Sequence, residues 1–169
     1  GQISIWKEGP EEALDPWRPP LLINEKLLWV QAAEDIHFEV VTSDRNRIFS
    51  FASYFSAYPP VRQYRGWENH LILETNDFLI QDGVILNEQY GFEQVFNWRL
   101  FKGKPFYFFR KGPNMGISYD EHFHHLNYEE IVHGYCCELT LNNPTNNDNM
   151  LRFYGRRGDD WYYVIMEFN

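Results

Sequence analysis

The chain has 169 residues, a formal net charge of −9 and an aromatic content of 18%, from 14 Phe, 11 Tyr and 6 Trp. This length suits about one domain with a full core. The acidity argues against a nucleic-acid partner, which requires a basic face. No run approaches the roughly 18 apolar residues of a membrane-spanning helix, so no membrane insertion is expected of this fragment. It opens on Gly1-Gln2 rather than Met. That reads as a processed or engineered fragment, with any targeting signal removed from view.

Residues 1–26 read as an extended, proline-rich arm. Pro10, Pro16, Pro19 and Pro20 forbid a long helix or a central strand there. Trp6 and Trp17 are placed to pin the arm, and Ile3-Ser4-Ile5-Trp6 reads as an edge strand. Residues 27–169 read as a single antiparallel β domain. Its first strands are Leu27–Val30, Ile36–Thr42 and, after the polar turn Ser43–Asn46, Arg47–Phe55. Pro59-Pro60 then breaks the chain. His70–Thr75, Phe78–Gln81 and Val84–Leu86 form a meander, with turns at Asn76-Asp77 and Asp82-Gly83. Asp-Gly is a strong signal for a type I′ hairpin turn. One short helix fits between Leu86 and Gln94. Gln94–Phe101 and Pro105–Arg110 pair across Lys102-Gly103-Lys104, and Met115–Tyr119 follows as a third strand. Asn142–Asn149 is Asn-rich loop chemistry. Met150–Arg157 and Trp161–Phe168 make the last hairpin, turning at Gly158-Asp159-Asp160. In it Trp161, Tyr163 and Ile165 share one face and Tyr162, Val164 and Met166 the other. Apolar character on both faces predicts burial on both, with Trp161 in the core.

Gly66, Gly112 and Gly158 stand 46 residues apart, each behind a basic residue: Arg65, Lys111 and Arg157. After each glycine comes an alternation: Asn69, Leu71, Leu73; Met115, Ile117, Tyr119; Trp161, Tyr163, Ile165. Period two is the signature of a strand with one buried face. An aromatic–Glu–x–β-branched echo lies upstream at Phe38–Val41, Phe92–Val95 and Tyr128–Ile131. The expected fold class is all-β, built of antiparallel hairpin repeats of about 46 residues. It takes either a small propeller-like form or an open sandwich or rolled sheet.

The run Gly103–Gly112 (GKPFYFFRKG), then Gly116–Asp120 (GISYD), resembles segments of an uncharacterised family of bacterial extracytoplasmic proteins with propeller-like β-hairpin repeats. Tyr128–His133, Cys136-Cys137 and Asp160–Val164 carry the same resemblance, which covers mainly residues 67–169. The hairpins are also similar in style to the short Trp/Gly β repeats of bacterial surface proteins. The tryptophan is present only in the last unit, as Trp161, where the second has Met115. The resemblance implies a secreted or surface-anchored setting. It implies no activity, so no site residue is carried over.

The sharpest local signal for chemistry is His122, His124 and His125 around Phe123, with Asp120, Glu121, His133, Cys136 and Cys137 near in sequence. His122 and His124 share one face of a strand, so both reach toward one metal. The alternative is an exposed polar hairpin tip, and no zincin helix or paired CxxC motif is present. Cys136 and Cys137 are adjacent and point to opposite faces of a strand. They make no disulfide framework and read as buried, inert thiols. The acid pairs Glu11-Glu12, Glu34-Asp35, Asp120-Glu121, Glu129-Glu130 and Asp159-Asp160 diverge along a strand or sit in turns. They do not face each other across a cleft as glycosidase carboxylates do. There is no Gly-x-Ser-x-Gly elbow and no phosphate loop ahead of a helix. Tyr107, Tyr135, Tyr154, Tyr162 and Tyr163 suit either a core or a platform for a glycan or protein partner. The expectation is a non-enzymatic recognition or scaffolding module without a cofactor, with no catalytic, cofactor-binding or metal residue assigned. The alternative is a metal-dependent hydrolase or metal-binding protein using the His122–His125 region.

Overall fold

The computed structural model describes residues 20–33, 37–52, 61–76, 78–134 and 142–168. Of these, 67% lie in strands, and the chain is all-β and antiparallel, as its alternation predicts. The described residues form four four-stranded sheets, each made of four consecutive strands. The first holds β1 (Leu21–Ile23), β2 (Lys26–Ala32), β3 (His37–Thr42) and β4 (Arg47–Ala52), side by side. The second holds β5 (Val61–Trp67), β6 (His70–Thr75), β7 (Leu79–Gln81) and β8 (Val84–Ile85). The short helix α1 (Leu86–Tyr90) falls where one was expected and ends on Gly91 in the left-handed conformation. The third sheet holds β9 (Gln94–Phe101), β10 (Lys104–Lys111), β11 (Asn114–Tyr119) and β12 (His122–His125). The fourth holds β13 (Glu130–Ile131), β14 (Thr145–Asn147), β15 (Met150–Arg157) and β16 (Asp160–Glu167). In it β13 and β14 share one edge of β15, and β16 takes the other. Among the described residues no helix is long and apolar enough to cross a membrane.

Turn chemistry sets the registers. The two-residue turns Asn24-Glu25, Asp82-Gly83, Lys102-Gly103 and Asp120-Glu121 hold both residues at positive φ. That is the type I′ geometry, whose twist matches paired strands. At Glu68-Asn69, Gly112-Pro113 and Gly158-Asp159 only the first residue has positive φ, as in a type II′ turn. Leu21–Ile23, expected within the arm, forms β1 through the first of these turns, and Ile23 is buried. Residues 1–19 lie outside the described residues, as do Tyr135, Cys136 and Cys137.

The hairpins at 105–120 and 151–166 both reverse at their glycines, pairing Lys111 with Asn114 and Arg157 with Asp160. Gly66 differs: it lies inside β5, opposite Leu71, and the reversal comes at Glu68-Asn69. The four sheets begin at Leu21, Val61, Gln94 and Glu130, closer together than the three glycines.

Packing follows the alternation. On β6, Leu71 and Leu73 pack toward the first sheet with Val30, Phe38 and Val40, while Ile72 packs toward the third with Trp98 and Phe109. On β10, Tyr107 and Phe109 join that same cluster, while Phe106 and Phe108 pack with Leu151 and Phe153 of the fourth sheet and with Phe168 just after it. The second and third sheets are therefore buried on both faces, and the first and fourth cover them. Each fully buried Phe or Leu contributes about 1.5–3 kcal/mol.

The last hairpin departs from expectation. Tyr162, Val164 and Met166 are half-buried, but Trp161, Tyr163 and Ile165 are 49%, 55% and 54% exposed. The fourth sheet is an outer layer, so the second apolar face of β16 meets solvent. Trp161 is not a core residue. Among the described residues Trp98 and Trp29 are the buried tryptophans, at 1% and 8% exposed.

Three outcomes follow. Trp161→Ala is expected to shift the melting temperature by no more than about 2 °C, as a surface change within about 0.5 kcal/mol does. Trp98→Ala should cost about 3–5 kcal/mol, or about 10 °C, in the same thermal scan. Gly116 lies under the Phe109 ring, and a Cβ built there meets Phe109 Cζ at 2.3 Å. Gly116→Ala should therefore cost about 1–3 kcal/mol in denaturant unfolding through forced repacking.

Candidate functional site

A polar cavity of about 260 Å³ lies where the second, third and fourth sheets converge. It is lined by Arg62, Gln63 and Glu74 of the second sheet, and by Phe96, Asn97 and Arg99 of β9. His133, Gly134, Asn143 and Pro144, between β13 and β14, complete it.

The cavity begins with a backbone irregularity. On β9 Phe96 faces Phe108 and Arg99 faces Phe106, so Asn97 and Trp98 together oppose Tyr107 alone. This is a β-bulge with Asn97 at φ 60°, a conformation Asn tolerates better than most residues. A bulge interrupts the ladder and leaves backbone N–H groups in need of acceptors. Glu74 supplies them: Oε1 accepts the N–H of Asn97 at 2.8 Å and Oε2 that of Trp98 at 3.0 Å. Glu74 is 4% exposed. Burial pushes its pKa above the usual carboxylate value, opposed by these two hydrogen bonds and by the charges of Arg99 and Arg65. Burial also lowers the pKa of the Arg99 guanidinium, and Glu74 opposes that.

The rest of the lining is held by side-chain hydrogen bonds. Arg62 Nε donates to Asn76 Oδ1. Asn143 closes two bonds with the backbone of Gly134, at 2.6 and 2.8 Å. The His133 ring stacks on Phe96, with centroids 3.7 Å apart and planes at 11°. His133 Nδ1 lies 2.8 Å from the Ile131 carbonyl, so it carries the proton, and Nε2 accepts from Gln94 Nε2 at 2.8 Å. Burial lowers its pKa, and the neutral ring is the form these bonds require.

The histidines singled out in sequence lie elsewhere. His122, His124 and His125 are exposed along β12, and His122 Nδ1 sits 2.7 Å from the Asp120 carbonyl. His133 is held against Phe96, in the fourth sheet's seam. Among the described residues no three His, Cys, Asp or Glu side chains gather to hold a metal ion. The metal-binding alternative on His122–His125 thus gains no support.

The tyrosines separate by layer. Tyr107 is buried, its pKa raised to about 12 by burial, with a side-chain hydrogen bond to Ser118. Tyr162 is half-buried beneath the Arg157 guanidinium, 4.5 Å from its ring centre. Tyr154 and Tyr163 pair across β15 and β16 with rings 5.1 Å apart, both exposed. With Trp161 and Ile165 they form an apolar stripe on the outer face of the fourth sheet. Arg152 stands opposite Ile165 and Arg156 opposite Trp161. Arg156 is bound to Glu129 and Glu130 at 3.1 and 3.0 Å.

Sequence reading passed over Glu74, Asn97 and Arg99. The available signal was a lone acid ending the apolar run Leu71–Leu73 and a lone amide between Phe96 and Trp98. No family model matches the chain, and no curated protein and no solved structure matches it either.

Glu74→Ala removes both acceptors from the bulge. It is expected to cost at least about 2 kcal/mol in chemical denaturation, since each buried N–H left unmet costs about 1–3 kcal/mol. Amide hydrogen exchange at Asn97 and Trp98 should accelerate in the same variant, while that at Leu28 and Val30 in the first sheet stays slow.

Proposed function

We propose that the chain is a non-catalytic recognition module of a bacterial extracytoplasmic protein, and that it docks an extended segment of a protein partner along β16. One observation carries the reading. β16 is an eight-residue strand that pairs with β15 alone among the described residues, and it exposes Trp161, Tyr163 and Ile165 on one face. An open strand edge presents a row of unpaired N–H and C=O groups that templates another strand. Natural edges are usually blunted by central charges, prolines or bulges. Here the charges, Asp160 and Glu167, stand only at the ends, and the pairing with β15 runs without a register shift. The side chains on this face, Trp, Tyr and Arg, are the types that dominate protein-binding hot spots. A partner strand that is apolar at alternate positions would continue the stripe beyond the edge.

The extracytoplasmic setting rests on the sequence resemblance. The propeller-like repeat architecture belongs to the same reading, supported by four sheets each made of four consecutive strands. Recognition rather than catalysis is favoured because the exposed stripe is apolar and its charged neighbour Arg156 is already paired.

The test is selection of binders from a random peptide library on the purified protein. Enriched peptides should alternate apolar and polar residues and lose binding when their backbone amides are N-methylated. Tyr163→Lys, which places a charge at the centre of the edge, should abolish their binding without changing the melting temperature. Peptides indifferent to Tyr163→Lys, or none enriched, would overturn the proposal. So would binding of a soluble polysaccharide that Trp161→Ala abolishes while no peptide binds, which would reassign the stripe to glycans.

A further inference from the structure

A second cavity, of about 270 Å³, opens between the second and third sheets beside the β7–β8 turn. Strand register builds its floor. Tyr107 pairs with Ser118 and Ser118 with Phe123, so one row crosses β10, β11 and β12. Tyr107 belongs to the aromatic cluster shared with the second sheet, so the row faces that sheet. In a neighbouring row the Phe109 ring fills the space over Gly116. Here Ser118 is the small member between two rings, and β8 ends after two residues. Space is left where a larger side chain or a longer strand would pack. Opposite the row, Leu86, Gln89 and Tyr90 of α1 stand at i, i+3 and i+4, the spacing of one helix face, and line the cavity together.

Depth sorts the lining. At the floor Tyr107 and Ser118 are 6% and 1% exposed and share a side-chain hydrogen bond. With its pKa raised to about 12 by burial, the phenol stays protonated at neutral pH. Two hydroxyls carry two protons, and the bond between them uses one. The floor therefore offers both a donor and acceptor lone pairs. At the mouth Val84 and Phe123 are exposed, so an aliphatic and an aromatic side chain share one rim. Gln81, Gln89 and Glu121 also line the cavity, and their side chains make no hydrogen bond within the described residues. Asp82 is committed: Oδ1 accepts the N–H of Leu71 at 2.8 Å, and Oδ2 lies 2.6 Å from His70 Nδ1.

The chemistry of a complementary molecule follows. An aromatic rim over a hydroxyl floor suits a small ring with an apolar C–H face and hydroxyls that donate and accept at its edge. A pyranose is such a ring, and the volume lies just under the range of drug-sized sites. An anion would meet Asp82 and Glu121. An ammonium ion would find one uncommitted carboxylate, Glu121 at the mouth, and neutral hydroxyls at the floor. We propose that this cavity binds one neutral hexopyranose ring, its C–H face on Phe123 and its hydroxyls on Tyr107 and Ser118 at the floor and on Gln89 and Glu121 at the mouth. The site is separate from the β16 edge and does not depend on the proposed protein partner.

The experiment titrates the intact protein with methyl β-D-glucopyranoside, methyl β-D-galactopyranoside and methyl α-D-mannopyranoside, with n-butylammonium chloride and sodium acetate as charged controls. Each is taken to about 10 mM, which saturates a site with a Kd of about 1 mM. Binding is read by calorimetry and by the ring resonances of Tyr107 and Phe123. At least one glycoside should bind and move both rings, and neither control should. Tyr107→Phe, which removes only the hydroxyl, should weaken that binding about two- to tenfold, the loss of one hydrogen bond. Phe123→Ala should abolish it, and Tyr107→Phe decides the matter if Phe123→Ala fails to fold. Trp161→Ala, on the β16 stripe, should leave it unchanged, so the two sites stand or fall separately. The proposal is overturned if no glycoside moves the two rings, if butylammonium or acetate binds in their place, if Tyr107→Phe leaves glycoside binding unchanged, or if Trp161→Ala abolishes it.

Discussion

The carboxylate of Glu74, holding the N–H groups of Asn97 and Trp98, is the contact on which the middle of this protein depends. Along a regular strand, residues two apart share a face, so Phe96 and Trp98 would point into the same core. The extra residue at Asn97 reverses the alternation. Phe96 therefore packs with Phe108 and Phe153 toward the fourth sheet, and Trp98 packs with Ile72 and Phe109 toward the second. The bulge lets one strand serve two cores with its largest side chains. It also frees two amides that no sheet neighbour meets, and only an acceptor from the adjacent sheet closes that account. Glu74 does so from β6, tying the second and third sheets by hydrogen bonds, beside the one that Trp67 Nε1 donates to the Gly103 carbonyl at 3.1 Å.

The same layering explains where aromatic residues are used. Sheets buried on both faces are filled with stacked and edge-on rings, such as Phe92 on Phe109 at 4.2 Å and Phe101 on Phe168 at 4.2 Å. Such pairs add about 0.5–1.5 kcal/mol beyond their area. Close approach then requires that something be small. Gly116 lies under Phe109, and Gly155 under Tyr128, whose ring atoms come within 2.8 Å of a would-be Cβ. These two glycines are therefore packing positions, whereas Gly112 and Gly158 are turn positions with open space around them.

Much of the strand order was legible in the sequence, because period-two alternation and glycine turns act locally. The meander at 70–85 and the hairpins reversing at Lys102-Gly103 and Gly158 follow from that chemistry alone. β1 and β12 were harder to read because their turns, Asn24-Glu25 and Asp120-Glu121, reach positive φ without glycine. The placement of Trp161 was misread for a different reason. Apolar residues on both faces of β16 suggest burial on both, yet burial requires a neighbouring layer, and alternation carries no information about which sheet is outermost. The cavity was not legible at all. Its members run from Arg62 to Pro144 and meet only through sheet packing, each looking in sequence like a single polar residue among apolar ones.

The β16 stripe and the polar seam couple differently to stability. The inner face of the fourth sheet, Leu151 and Phe153 with half-buried Val164 and Met166, covers the aromatic core. Its outer stripe is not part of that core, so Trp161 and Tyr163 are open to change with little effect on folding. Arg99 and Glu74, by contrast, stand at the bulge that orients Phe96 and Trp98. Residues from three sheets must be in register before the cavity exists. A change at the seam therefore acts on the whole stack, whereas binding at the β16 edge reports on one strand.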